Sequence, residues 1–518
     1  MAKTEDQIKK NKKIKTVYLA IIRMVTVLLA LAVQIVFMWM AANFLEEYHD
    51  KIYLVFELVG LVFVFAMVGD EEYNQKQWIL IMALVPVTGL LLYMIWGNVS
   101  KNSSFNKRMR REEKEMLSQL GDSAPNVERY ASQHPNKVQI PRYLYSNEFP
   151  LYENTKANYY PVGDDAEGKF LEDLRSAEKF IFLEYFIVLD GKWWREILSI
   201  LTEKAAAGVD VRMIVDDFGS LFMNIPGMRK EMRAKGIKLC CFAPIHQRIP
   251  SLSFNFRDHR KITVVDGNVG YIGGVNLADE YINKEKRFGH WKDSMVRLEG
   301  MAVESLTAQF ITMWSSCHKT TEKLEDFHCT TEIKAEGIVQ PFSGGPHHNE
   351  DNPVEGAYLR MMNKARDYVF ITTPYLVLDS RMRENLIQAD RSGVDVRIIV
   401  PHIYDKWYVY QVNVYNYGKL LKNGVRIYEY TPGFIHAKNI VCDDECSICG
   451  SINLDFRSMY MHHENGVFFS DSHVVKEMKE DFLKTLEVSH EITLEEWKKR
   501  SPFRKFIQWL LHLAAPMM

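Results

Sequence analysis

The sequence predicts an α/β protein built by duplication. Two α/β/α halves surround one site, and N-terminal transmembrane helices precede them. Three observations carry that reading. The pattern His-x-Lys-x4-Asp occurs twice, as His259, Lys261, Asp266 and as His436, Lys438, Asp443. Each copy is followed by a glycine turn and an asparagine, Gly273-Gly274-Val275-Asn276 and Gly450-Ser451-Ile452-Asn453. Longer blocks also return in the same order: Gly208 to Val215 as Gly393 to Val400, and Gly236 to Pro244 as Gly424 to Pro432. Such self-similarity marks a duplicated unit.

The helices expected first lie in residues 1–99. Val17 to Ala42 is interrupted by Arg23 and Gln34, Ile52 to Gly69 holds Glu57, and Trp78 to Trp96 contains Pro86. About 20 apolar residues cross roughly 30 Å of hydrocarbon, so two or three of these stretches are long enough to span. The first is too long for a cleaved signal and lacks a small-residue cleavage site. Lys3, Lys9, Lys10, Lys12, Lys13 and Lys15 precede the stretches, and Lys101, Lys107, Arg108, Arg110, Arg111 and Lys114 follow them. Both flanks ask for the cytoplasmic side, whereas three full crossings would separate them, so either one stretch does not cross or one basic flank loses. The cysteines and the basic stretch after Gly97 favour a multi-pass membrane protein with a cytoplasmic catalytic region. Residues 100–141 turn polar and charged and read as a helical or partly ordered linker.

Residues 142–325 form the first expected half. Phe170 to Lys179 has helical spacing, and Phe180 to Ile187 is an apolar run of strand length. Trp193 to Ala207 is helical again and stops at Gly208. Val211 to Val215 is a strand. Ile262 to Val265 and Tyr271-Ile272 flank Asp266-Gly267, a hairpin signal. Residues 326–500 repeat the series, with Val369 to Leu376 in place of Phe180 to Ile187. The halves differ before the histidine: the first has Ile245 to Asp258, the second only Gly433 to Ile435. The longer insertion is expected as a loop at the mouth of the site. Residues 501–518 read as an amphipathic helix with Phe506, Trp509, Leu510 and Leu513 on one face. That helix suits a lipid interface or packing on the catalytic region.

Composition narrows the function classes. The 518 residues carry a formal net charge of -2, so no basic field points to nucleic acid. Seven cysteines do not make a disulfide framework and fit a reducing compartment. Cys446-Ser-Ile-Cys449 has CxxC spacing but no second ligand pair, and reads as buried small hydrophobes.

The repeated motif suits chemistry on a phosphodiester. His and Lys two apart on a strand share a face, so each pair can meet one phosphate. A neutral imidazole attacks an anionic phosphodiester without charge repulsion and forms a phosphohistidine. The second histidine, protonated, serves the leaving alkoxide and later deprotonates the incoming alcohol. Lys261, Lys438, Asn276, Ser451 and Asn453 are candidate holders of the phosphate oxygens. Asp266 and Asp443, on the opposite strand parity, are catalytic or structural. Asp293 and Glu464, downstream of His259 and His436 respectively, are candidate supporting acids on the far imidazole nitrogen. Tyr185, Tyr375 and Arg457 line the pocket or pack. The chemistry calls for no metal or cofactor, and the sequence shows no ligand cluster.

These motifs resemble the phospholipase D superfamily, and within it the bacterial cardiolipin synthases. The second likeness rests on Trp78 to Gly97, Phe182-Leu-Glu-Tyr-Phe186, His259-Arg-Lys-Ile, Gly273 to Tyr281 and Gly450 to Ser458, and runs from about residue 75 to the C-terminus. It implies a duplicated phospholipase D-like fold in the bacterial cell membrane. It also implies transfer of a phosphatidyl group from one phosphatidylglycerol to another, with release of glycerol. His259 would be the nucleophile and His436 the acid and base. A related transferase or hydrolase, using another lipid or water as acceptor, would have the same site residues. The implied partners are phosphatidylglycerol and membrane lipids, not nucleic acid; nothing in the sequence specifies an oligomeric state.

Overall fold

The computed structural model describes residues 103–244, 256–348, 352–513 and 515, with isolated positions before residue 103. The chain divides into two compact units. One comprises Met1–Ser100, Ile245–Asn255 and Leu513–Met517, nearly all of it outside the described residues. Among the described residues no helix is long and apolar enough to cross a membrane. That finding corrects the expectation of N-terminal transmembrane helices and of a multi-pass protein of the cell membrane. The three apolar stretches themselves lie outside the described residues except for isolated positions, as does the expected mouth loop up to Asn255.

The other unit, Lys101–Pro244 with Phe256–His512, carries both motifs. It opens with three helices, α1 (Ser104–Gln119), α2 (Ala124–Gln133) and α3 (Gln139–Ser146). The segment expected as a charged linker is therefore helical, and Met109 and Met116 of α1 are buried in the core.

Each half then builds a mixed sheet. The first uses β1 (Thr155–Tyr160), β2 (Phe180–Tyr185), β3 (Asp210–Asp216), β4 (Lys238–Phe242), β6 (Lys261–Val265), β7 (Val269–Gly273) and β9 (Met295–Gly300), with β5 (Arg257–Asp258) and β8 (His290–Lys292) outside it. The order is β1-β9-β7-β6-β2-β3-β4. The second uses β10 (Ile338–Gly344), β11 (Tyr368–Thr372), β13 (Asp395–Pro401), β14 (Arg426–Tyr430), β16 (Asn439–Cys442), β17 (Cys446–Gly450), β19 (His462–Ser470) and an added edge, β20 (Ser489–Ile492). Its order is β10-β19-β17-β16-β11-β13-β14-β20. Strand for strand the first seven match. In both halves the strand after the motif lysine is antiparallel to its neighbours, while the β2-β3-β4 and β11-β13-β14 sets are parallel.

Alternation along the strands sorts side chains into layers. Ile181 and Leu183 of β2 pack outward with Phe170 and Trp193 of helices α4 (Gly163–Ser176) and α5 (Lys192–Ala206). Phe180 and Phe182 face the other way, into a core shared with Phe370, Val441 and Phe469 of the second half. Two helices lie in that shared layer, α7 (Val303–His318) and α12 (His473–Glu487), numbered past α6 (Pro226–Ala234), α8 (Pro353–Lys364), α9 (Ser380–Arg391), α10 (Trp407–Leu421) and α11 (Phe456–Tyr460). From Val303 to Ser316 every residue of α7 is buried, as a helix between two sheets must be. Helices α8, α9 and α10 cover the outer face of the second sheet.

Past α13 (Leu494–Lys498), the terminal helix α14 (Pro502–Leu513) packs on α10 through a polar contact, Gln508 Nε2 to Gln411 Oε1 at 2.9 Å. Its apolar residues Phe503, Phe506, Trp509 and Leu510 remain exposed.

Candidate active site

Two short parallel ladders cross between the halves and bring the motifs together. β5, which precedes His259, pairs with the first residues of β19, His462 and His463. β15 (Gly433–Ile435), which precedes His436, pairs with β8. Backbone bonds fix both ends: His259 N donates to His463 O at 3.0 Å, and His436 N donates to Lys292 O at 2.7 Å. Each histidine is therefore seated on the other half, beside that half's carboxylate.

The carboxylates are exchanged as a result. His259 Nδ1 lies 2.9 and 3.0 Å from the two oxygens of Glu464. His436 Nδ1 lies 2.5 Å from Asp293 Oδ2. Sequence reading put each acid with the histidine of its own half; the structure corrects that to the opposite half. Nothing in the linear order could show the exchange, because the two ladders that make it join residues far apart in the chain. With Nδ1 held, Nε2 is the nitrogen of each ring left for a substrate.

Each lysine reaches back to the carbonyl of its own motif histidine. Lys261 Nζ donates to His259 O at 2.5 Å, and Lys438 Nζ bonds to His436 O and lies 2.8 Å from His436 Nδ1. Burial pushes the Lys261 ammonium down to about 7 and that of Lys438 to about 8. Both imidazoles are held well below the usual histidine range, first by burial and then by these two lysines, each of which acts on both rings. This mutual depression shows that the motifs share one electrostatic site. Two buried lysines, Lys261 and Lys438, face two buried carboxylates, Glu464 and Asp293, that are engaged by the histidines.

The remaining candidates fall into distinct places. Asp266 and Asp443 stand at the far ends of β6 and β16, in turns with φ of 53° and 54°. Asp266 accepts from the amides of Glu178, Lys179 and Phe180 at 2.7 to 2.8 Å. Asp443 accepts from Arg366, Asp367 and Tyr368 at 2.8 to 3.0 Å. Both carboxylates are thus committed to the backbone that starts β2 and β11, and neither meets a histidine. Ser451 gives its hydroxyl to Glu464 instead of pointing at a phosphate position. Asn276 accepts from Ile187 N at 2.9 Å, and Asn453 is buried. Tyr185 packs in the outer core, bonds Thr263 at 2.8 Å and stands opposite Lys261 in the β2–β6 ladder. Arg457 donates to His462 Nε2 at 3.1 Å.

Sequence reasoning missed His462, whose ring lies 5.5 Å from that of His259, and Lys406, whose charge acts on both histidines. Lys406 bonds the Tyr375 hydroxyl at 3.0 Å, and Tyr375 in turn bonds Asp405 at 2.6 Å. The adjacency of His462 and His463 to Glu464 was the available signal for the first; Lys406 carried none. His259, His462 and Glu464 also bring three donor atoms within 4.8 Å, a grouping not expected from the sequence. The same Glu464 oxygens already hold His259 and Ser451.

A family model described as "Cardiolipin synthase, PLD-like domain" matches residues 170–314 and 358–486. The chain is similar to "Cardiolipin synthase 2" of Staphylococcus epidermidis, 31% identical over 473 residues that cover 89% of this chain and 96% of that protein. It is likewise similar to "Cardiolipin synthase" of Staphylococcus aureus, 31% identical over 481 residues covering 90% and 97%. An uncharacterized protein of Streptococcus mutans is 39% identical over 456 residues, 85% of this chain and 96% of that one. A solved phosphatidylserine synthase of Haemophilus influenzae shares the fold, with a TM-score of 0.54 and 16% identity over 73% of this chain and 97% of that one.

Proposed function

This chain belongs to the cardiolipin synthase family of the phospholipase D superfamily, a family of phosphatidyltransferases, and from that premise we propose that it makes cardiolipin from two phosphatidylglycerols. His259 Nε2 attacks the phosphorus of the first lipid. The bond to glycerol breaks, His436 delivers the proton to the leaving oxygen, and a phosphatidyl-histidine remains. His436 then takes the proton from the free hydroxyl of the second phosphatidylglycerol, whose oxygen displaces His259. Lys261 and Lys438 hold the phosphate oxygens while charge moves across them.

The observation that carries this reading is the reciprocal seating of the two histidines. Each has a buried carboxylate on Nδ1 and two buried lysines acting on it. The division of roles follows from how each Nδ1 is held. Both Glu464 oxygens face His259 Nδ1, which favours the tautomer with a free lone pair on Nε2. Around His436 the proton has several homes: burial pushes the Asp293 carboxyl up to about 7, and Lys438 also reaches Nδ1. A group that shares a proton near neutral pH suits an acid that must later act as a base.

Purified protein with phosphatidylglycerol vesicles in chelator tests this. Cardiolipin and glycerol in equal amounts, both lost in His259→Ala and His436→Ala, are expected. Phosphatidic acid in place of cardiolipin would make water the acceptor and overturn the synthase reading. Turnover only after a different lipid is added would overturn phosphatidylglycerol as the sole substrate.

A further inference from the structure

A second cluster of ligand-type side chains lies outside the motifs. Glu113 projects from α1, and His347 and His348 sit in the turn after β10. His347 Nε2 is 3.0 Å and His348 Nε2 3.1 Å from the same Glu113 oxygen, Oε2. All three donor atoms lie within 4.8 Å of one another. Donors around zinc at about 2.0–2.2 Å stand roughly 3.2–3.5 Å apart in a tetrahedron, so the two histidine-to-Glu113 distances need widen by only a few tenths of an ångström. His348 and Glu113 keep side-chain exposures of 17% and 12%, which leaves a path for an ion and a water.

A hydrogen-bonded clip of two imidazoles on a carboxylate is the simpler description, and one feature speaks against it. If His347 donates from Nε2 to Glu113, its Nδ1 is a bare acceptor. That atom is buried and has no hydrogen-bond partner. His463 Nδ1 is buried and unpartnered as well. Both flank Gly345, where a Cβ would lie 2.6 Å from His463 Nδ1 and 3.1 Å from His347 Nδ1, and the rings are 5.2 Å apart. The alternative is a proton on His347 Nδ1, which leaves Nε2 as the lone-pair nitrogen. That tautomer aims the Nε2 lone pair at the Glu113 carboxylate, an arrangement that calls for a cation between them.

We propose that Glu113, His347 and His348 bind a divalent transition-metal ion of zinc type, with water completing the site. Two imidazoles and one carboxylate suit such an ion better than calcium or magnesium, which prefer oxygen ligands throughout. The site ties α1 to the turn after β10. Through the ring contact of His347 with His463 it also lies against β19, whose residue 463 carbonyl receives the His259 amide and whose next residue is Glu464. The ion is a positioning element here and takes no part in the transfer.

Zinc alone is the probe, with the full chain. After loading and removal of excess ion, elemental analysis is expected to find one zinc per folded chain. Glu113→Gln and the double variant His347→Ala/His348→Ala lose it, and His462→Gln keeps it. Glu113→Gln retains the hydrogen-bonding shape of the cluster and, checked by circular dichroism, separates lost ligation from lost folding. Zinc is also expected to raise the melting temperature of the parent and of His462→Gln, but not of Glu113→Gln. No stoichiometric zinc on the parent, full retention by Glu113→Gln, or loss in His462→Gln would each overturn the proposal. None of these readouts depends on which lipid the enzyme uses.

Discussion

The centre around His259 and the centre around His436 share a plan and differ in their supports. His259 rests on a glutamate braced by the Ser451 hydroxyl. Behind it the chain carries buried charge, with Arg260 paired to Glu184 at 2.5 Å and to Asp258 at 3.4 Å. His436 rests on an aspartate, one methylene shorter, beside Gly274 where the other half has Ser451. Its chain neighbours are the apolar Phe434, Ile435 and Ala437. The His259 side is therefore braced by a buried network of Arg260, Glu184 and Asp258, which suits a nucleophile that must hold one tautomer. The His436 side leaves a proton among Asp293, His436 and Lys438, which suits a group that gives a proton and takes it back. Duplication supplied the symmetric scaffold, and substitution at a few supporting positions divided the labour.

The largest effects should come from the carboxylates. Asp293→Asn and Glu464→Gln are each expected to lower kcat by up to about 10^4-fold, because an amide fixes the wrong tautomer. The two should differ in pH dependence. Asp293→Asn removes the inflection near neutral pH in the kcat profile, whereas Glu464→Gln leaves it in place. The same loss of inflection in both variants would break the division of labour.

The turn residues give a smaller test of the same contrast. A Cβ at residue 274 would lie 2.0 Å from Asp293 Oδ1, so Gly274→Ala must displace the carboxylate. A shift of that kind costs about 10²-fold in kcat. Ser451→Ala removes one brace from Glu464 and leaves the carboxylate in place, so about 5–10-fold is expected from one hydrogen bond. Steady-state rates of the two variants, compared at one pH, decide it.

The lysines predict the alkaline limb. They bind phosphate only as ammonium, and burial lowers them to about 7 and about 8. In the free enzyme, kcat/KM should therefore fall as pH rises through that range. Bound phosphate raises both lysines, so the fall in kcat should lie at higher pH. On the acid side the nucleophile His259 is depressed, so kcat/KM should not decline until well below pH 6.5. Rates measured from pH 5 to 9 check all three.

Stability should respond at the far ends of the motif strands. Asp443→Ala removes three amide contacts and leaves a positive φ at residue 443, a cost of about 2–3 kcal/mol in denaturant unfolding. Molecules that remain folded should keep nearly full kcat. A large kcat loss at unchanged stability would return Asp443 to the reaction itself.

Much of this was legible in the sequence because duplication writes its pattern twice. His259, Lys261, His436 and Lys438 stand out by repetition, and the hairpin at Asp266 by its turn chemistry. Register was harder. The apolar runs suggest aligning Phe180 with Val369, but the turn contacts equate Phe180 with Tyr368. One residue of slip reverses every side chain on a strand, so Glu184 corresponds to Thr372 and the buried charge of the first half has no counterpart in the second. The carboxylate exchange was hidden because it depends on how the halves dock. The apolar stretches before residue 100 suggested spanning helices from composition alone, and among the described residues no helix meets that requirement.

The most direct test of the divided roles is to trap the covalent intermediate. The parent enzyme mixed with phosphate-labelled phosphatidylglycerol and quenched in base during turnover, where phosphohistidine survives, should carry label on the peptide that contains His259. His259→Ala should carry none. Label on the His436 peptide of the parent enzyme, with none on the His259 peptide, would reverse the assignment and contradict the account.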